Sequence, residues 1–333
     1  MHAFVRNDDI LGDLFLPEPK NANGIGIVWC PGLPNTPTAE DMAAPLSNAG
    51  FVVLQARYPG SWQSFGKFGP SSSIQGAIKG LELLSKSRAI DLATENVVEW
   101  SCNRLVLVGN SYGGGVAACT LALTDLAASA VLFCPLLDPA NQNSYTTQPE
   151  NDLTTLLPYL KRCHENVFRD IDEGEWSDFL KGKSILNPSK YIETLRNRKL
   201  LLVHGQEDKT ICPSHTQDYY NNLIAIGATK TEIFLVDGVG HGKVLRSKTW
   251  EYWTNWIPTA LTFCHPQGVS SNYRHMYKIL CNLHIHKRHK TMIITRCSMD
   301  CDTIHRTSTK GQHRAVLFCR STSKGGASFV VIL

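Results

Sequence analysis

The sequence predicts an α/β protein: a doubly wound, mostly parallel sheet with an inserted cap and a basic C-terminal tail. Three observations carry this. Short, continuous apolar runs alternate with helix-patterned segments, as strands buried on both faces require. The alternation breaks once, for about 65 residues between Phe133 and Leu200. Near residue 264 the composition changes abruptly. From His265 onward there are 11 basic against 2 acidic residues, a net of +9, leaving 22 against 27 and a net of −5 for the first 264.

The elements follow in order. HAFVRNDDILGDLFLP reads as two short strands around an Asn-Asp-Asp turn. GIGIVW (24–29) is a buried strand stopping at Cys30-Pro31-Gly32, and AEDMAAPLSNAG is a helix closing on Gly50 despite Pro45. FVVLQARY (51–58) is the next strand, and SSSIQGAIKGLELLSKS (71–87) a helix behind a serine cap. RLVLVG (104–109), SAVLFCP (129–135), KLLLVHG (199–205) and TEIFLVDG (231–238) complete the strands. Helices are expected over VAACTLALTDLA, between the last two strands, and from about Lys243 to Leu261. The long interruption carries Tyr145, Tyr159, Phe168, Trp176, Phe179 and Tyr191. A connection of that length reads as a lid or cap, so residues 138–198 are expected to be one inserted in a domain spanning 1–264.

Other classes fall away on composition. The start, MHAFVRNDDI, lacks the basic and apolar runs of a signal peptide, and no stretch approaches the ~18 apolar residues of a membrane span. The 11 cysteines are odd in number, and Cys30, Cys119 and Cys134 sit in apolar surroundings. Buried free thiols, and a cytoplasmic location, are therefore expected. The tail, residues 265–333, holds seven of the 12 histidines and is expected to be weakly ordered. Its Cys297, Cys301 and His305, with His284, His286 and His289 upstream, lack the tight pair spacing of a standard zinc site, so no metal is expected. Its charge is clustered but aromatics are sparse, and no nucleic-acid partner is expected.

The chemistry concentrates at LVLVGNSYGGG (105–115). Gly109-Asn110-Ser111-Tyr112-Gly113 fits G-x-S-x-G, a strained strand-to-helix turn that lifts the serine clear of the sheet. A glycine-rich turn of this kind also suits a phosphate cradle, but neither G-x-x-x-x-G-K-S/T nor G-x-G-x-x-G is present. A nucleophilic serine needs a base and an orienting acid. Asp208 stands just past one strand end and His241 in a glycine-flanked loop after the next, giving the chain order Ser, Asp, His. Alone, Asp208 reads as a turn former and His241 as surface; together they read as a triad.

GNSYGG, HGQEDKTI, GVGHG and the turn RYPGSWQSFGKF resemble the α/β-hydrolase superfamily, especially its esterase, dienelactone-hydrolase and prolyl-oligopeptidase-related branches. The resemblance covers residues 1 to about 263. It implies Ser111 as nucleophile, His241 as general base and acid, and Asp208 as orienting acid. Glu207 and Asp237 are rivals for the acid, and the family's spacing from the His-Gly pair favours Asp208. It also implies an oxyanion hole made by the backbone N–H groups of Tyr112 and Leu33. Where the family often carries His-Gly-x this chain reads Pro31-Gly32-Leu33, and Pro34 has no N–H to give. No cofactor is implied.

The expected activity is hydrolysis of a carboxylic ester or related acyl bond, with a small acyl compound as substrate. Trp62, Phe65 and Phe68 are expected to shape its pocket with the cap. An aminopeptidase-like or acyl-peptide hydrolase is the nearest alternative, with Glu150, Asp152, Glu165 and Asp170 as candidates to anchor an α-amino group. A binding protein on a hydrolase scaffold is the non-enzymatic alternative.

Overall fold

The computed structural model describes residues 1–38 and 40–259, together with three short strands farther along the chain. Strands β1 (His2–Asn7) and β2 (Ile10–Phe15) form an antiparallel hairpin. Then come β3 (Ile25–Cys30), α1 (Glu40–Asn48), β4 (Val52–Ala56) and α2 (Pro70–Lys86). A small hairpin, β5 (Arg88–Ile90) and β6 (Val97–Glu99), precedes β7 (Arg104–Asn110), α3 (Tyr112–Leu123) and β8 (Ser129–Phe133). The long connection contains α4 (Leu156–Cys163), α5 (Glu173–Leu180) and α6 (Ile192–Leu195). β9 (Lys199–Gly205), α7 (Pro213–Ala225), β10 (Thr231–Val236), α8 (Lys243–Lys248) and α9 (Trp250–Trp256) close the series.

Eight strands make one sheet in the order β1-β2-β4-β3-β7-β8-β9-β10. β2 pairs antiparallel with β4, and every pairing from β4 to β10 is parallel. Strand side chains alternate between faces, so each central strand feeds two cores. Leu105 and Leu107 join Ile74, Leu81 and Val116 on the face of α2 and α3. Val106 and Val108 join Leu46, Trp253 and Trp256 on the face of α1 and α9. The sheet is covered on both sides, as the continuous apolar strands require.

Several boundaries differ from the sequence reading. α2 begins at Pro70 with Gly69 as its N-cap and no side-chain cap, because proline fills the first helical position without losing a needed N–H. The last helix is two, divided at Thr249, whose hydroxyl donates to Leu245 O at 2.8 Å. The β5–β6 hairpin has no clear apolar alternation, since both strands are largely exposed.

The C-terminal unit, Phe263–Leu333, contains a small antiparallel sheet of β11 (Ile304–His305), β12 (Val316–Cys319) and β13 (Phe329–Ile332). The remaining expectations for the tail, including its weak order and its zinc spacing, lie outside the described residues. Among the described residues, no helix is long and apolar enough to cross a membrane.

Candidate active site

The carboxyl ends of β7, β9 and β10 carry the three residues singled out in the sequence. Ser111 lies between β7 and α3 with φ 57 and ψ −123, a combination that a side chain strongly disfavours. Its amide donates to Phe133 O at 2.9 Å, and its carbonyl takes the amides of Gly114 and Leu136. The turn exists because strand and helix nearly touch. A β-carbon on Gly109 would stand 2.2 Å from Gly113 O, and one on Gly113 would stand 2.0 Å from Cys30 O.

Asp208 follows β9 and is buried. Its Oδ1 accepts the Thr210 and Ile211 amides at 2.8 and 3.1 Å. Its Oδ2 accepts from His241 Nδ1 at 2.6 Å and from His204 Nε2 at 3.1 Å. Burial opposes the charge, but the hydrogen bonds from His204 and His241 and the attraction of both rings outweigh it. The carboxyl is therefore held well below the usual carboxylate range. His241 follows β10 in the Gly240–Gly242 loop, with its side chain 21 % exposed.

Among the described residues, no hydrogen bond links Ser111 Oγ to the His241 ring, and such contacts commonly tighten only once substrate is bound. Their two loops are nevertheless tied. Arg246, in the helix after His241, donates to Asn110 Oδ1 at 3.0 Å, beside Ser111, and its guanidinium lies over the Trp29 ring at 5.5 Å.

Ser111 opens into a cavity of about 280 Å³. It is lined by Leu33, Pro34, Tyr112, Leu136 and Ile211, together with Leu153, Leu156 and Tyr159 from the long connection. Leu33 and Tyr112 thus stand at the serine. A β-carbon on Gly32 would be 3.3 Å from Ser111 Cβ, which shows how closely the two loops approach. Among the described residues, no protein acceptor takes the Leu33 or Tyr112 backbone N–H. The Tyr112 ring packs away in the core, its hydroxyl 2.9 Å from Ser73 Oγ.

Trp62, Phe65 and Phe68, expected to shape the pocket, are not among the residues that line this cavity. Their turn is consumed in knitting the molecule together. The amides of Phe65, Trp62 and Phe68 donate to Asp9, Val167 and Arg169 at 2.7, 3.0 and 2.9 Å. Phe68 is buried against Phe168, with ring centroids 4.7 Å apart. Phe65 is 55 % exposed under Arg6, and Trp62 donates to Asn35 Oδ1.

The rival acids stand elsewhere. Glu207 is exposed, and Asp237 hydrogen-bonds Gln206. Of the cap acids, Glu150 is enclosed by the Asn143 and Cys212 amides and His215. Asp152 lies on the cavity wall, while Glu165 and Asp170 do not. The sequence reading missed His204, although it stands in the quoted KLLLVHG strand. It is fully buried, with Nδ1 2.7 Å from Thr216 Oγ1 and Nε2 3.0 Å from Ile211 O. Both partners of Nε2 are acceptors, so that nitrogen carries the proton.

Residues 38–257 match the prolyl oligopeptidase family. A protein of Mycoplasma genitalium described as "Putative esterase/lipase 2" is 25% identical over 183 residues, covering 47% of this chain and 64% of that protein. The match therefore spans just under two thirds of that relative's length. Among solved structures, a thermophilic esterase from Thermogutta terrifontis superposes with a TM-score of 0.53 at 18% identity, over 81% of this chain and 95% of the other. The acylaminoacyl peptidase of Pyrococcus horikoshii gives a TM-score of 0.55 at 18% identity, over 84% of this chain and 43% of that longer one. At such identities these two similarities speak for the fold. Matched across residues 38–257, this chain belongs to the prolyl oligopeptidase family of serine hydrolases, built on the α/β-hydrolase fold.

Proposed function

We propose that the protein hydrolyses carboxylic esters of small apolar acids through Ser111, His241 and Asp208. The observation that carries this reading is the part-buried 2.6 Å bond between His241 Nδ1 and Asp208, beside a serine that opens into a mainly apolar cavity. Asp208 holds the Nδ1 proton and leaves Nε2 as the base. His241 takes the Ser111 proton as Oγ attacks the substrate carbonyl, and the Leu33 and Tyr112 amides receive the developing oxyanion. His241 then protonates the leaving alcohol. Water, activated by the same ring, releases the acid from the acyl-enzyme and restores Ser111.

Residues 138–198 act as the cap, since Leu153, Leu156 and Tyr159 line the same cavity as the serine. A peptide-like substrate is the second reading. It is favoured by Asp152, an exposed carboxylate on the cavity wall able to pair with a substrate amine.

The test is a hydrolysis screen of wild type and Ser111→Ala against p-nitrophenyl esters from acetate to laurate beside aminoacyl-nitroanilides. Ester turnover that vanishes in Ser111→Ala is the expected result. Faster anilide turnover, impaired by Asp152→Asn, would move the assignment to the second reading. Turnover by a folded Ser111→Ala protein would refute both.

A further inference from the structure

A thiol that the proposed reaction does not use stands beside the Asp208–His241 pair. Cys134 directly follows β8, is fully buried, and holds φ 42, in the left-handed region that a β-carbon disfavours. The Cys134 sulfur, a carboxylate oxygen of Asp208 and a ring nitrogen of His241 all lie within 4.8 Å of one another. They come from the ends of three adjacent parallel strands, so the sheet itself sets their spacing.

Thiolate, imidazole and carboxylate are a donor set for zinc and softer divalent cations. Zinc–ligand bonds of ~2.0–2.3 Å around a tetrahedron separate ligand atoms by roughly 3.3–3.7 Å. The present atoms, all within 4.8 Å of one another, approach that spacing. Asp208 Oδ1 is committed to two backbone amides, so Oδ2 is the oxygen that would turn to the ion, exchanging its bond from His241 for the metal and keeping the one from His204. The part-exposed His241 ring leaves a way in for the ion and for a water as fourth ligand.

We propose that Cys134, Asp208 and His241 form a binding site for a soft divalent cation, zinc or cadmium, whose occupation switches the hydrolase off. The switch rests on the catalytic role proposed for His241; the binding site does not. On binding, the thiol loses its proton to solvent and a metal–sulfur bond forms. His241 gives its Nδ1 lone pair to the metal, and the proton formerly there passes to Nε2. The ring stays neutral, one proton is released overall, and Nε2 no longer accepts the Ser111 proton. Inhibition follows from the change of tautomer without any block of the cavity.

The experiment titrates the full chain with cadmium chloride, comparing wild type with Cys134→Ala and Cys134→Ser. It reads bound metal by equilibrium dialysis, the ultraviolet cadmium–thiolate charge-transfer band, and ester hydrolysis relative to each protein's own metal-free rate. Wild type is expected to bind one equivalent more than either variant. The variants are expected to need at least ~10-fold more cadmium for the same fractional loss, since even outer-shell changes cost metal sites ~10–100-fold. A chelator should restore wild-type activity. Equal binding and equal sensitivity in wild type and variants would overturn the proposal. If Cys134 variants fail to fold, His241→Ala provides the same binding comparison. A Cys134-dependent equivalent in a protein whose hydrolysis ignores Ser111 would refute the catalytic reading and leave the metal site standing.

Discussion

Arg246 and Asn110 join the two loops on which the proposed reaction depends: the guanidinium of the helix after His241 donates to the side chain preceding Ser111, at 3.0 Å. Burial disfavours the charge on Arg246, lowering its pKa, so the contact is made at a desolvation cost. A tie between side chains from different strand ends fixes their separation more firmly than either loop does alone. Arg246→Ala is expected to lower kcat by ~10- to 100-fold, the scale of a 1 Å misplacement, with a smaller change in KM. Steady-state kinetics on a variant shown to be folded by circular dichroism checks this.

The turn at Ser111 tolerates no side chain at its flanks. In Gly109→Ala or Gly113→Ala the new β-carbon meets backbone atoms, which cannot rotate away. Strand and helix would have to part, at a cost of about 3 kcal/mol or more. Urea denaturation of each variant against wild type measures it; an unchanged midpoint would show that the two elements separate freely.

Asp208→Asn should leave the fold in place but favour the wrong His241 tautomer. A loss of about 10⁴-fold in kcat is expected. Stability gives a second readout. The Asp208 carboxyl has its folded pKa lowered below an unfolded value of about 3.9, so its contribution is complete above that pH and is lost as pH falls toward the folded value. The stability gap between wild type and Asp208→Asn should therefore narrow as pH falls from about 5 to about 2. A gap independent of pH would contradict the lowered carboxyl.

His204 acts through Asp208 and is a positioning residue. His204→Ala removes one donor to Oδ2 and opens a void beside a buried charge, and ~10-fold or more of kcat should be lost with KM little changed. His204→Gln retains an N–H and should recover part of it. Equal rates in the Ala and Gln variants would show that the ring serves packing alone.

The walls of the cavity make a prediction about substrate size. Leu156→Trp narrows the space before Ser111, and the preferred p-nitrophenyl ester should become shorter by several carbons. Trp62→Ala lies outside the cavity and should keep the wild-type chain-length profile. Profiles measured across acetate to laurate decide both.

Much of this molecule was legible from local chemistry. Continuous apolar runs mark strands that feed both cores, and Leu105 to Val108 divide between the faces as successive strand residues do. Gly109 and Gly113 announce a close approach of backbones because no other residue fits there. Such signals survive in one dimension because they depend on residues near each other in the chain.

His204 and the cavity wall were not legible in that way. A buried histidine in an apolar strand reads like any core residue until Asp208, Ile211 and Thr216 are seen folded around it. The aromatic turn at 62–68 looks like a pocket in sequence, yet its amides are committed to Asp9, Val167 and Arg169, which lie far from it along the chain. Leu153 and Leu156 line one cavity with Leu33, from far along the chain, and only the folding back of the long connection brings them there. The sequence by itself determined the sheet, the strained turn and the order Ser111, Asp208, His241, because each rests on backbone geometry and strand-end placement. The tertiary structure alone decided what surrounds them, because contacts between distant segments leave no period in the chain.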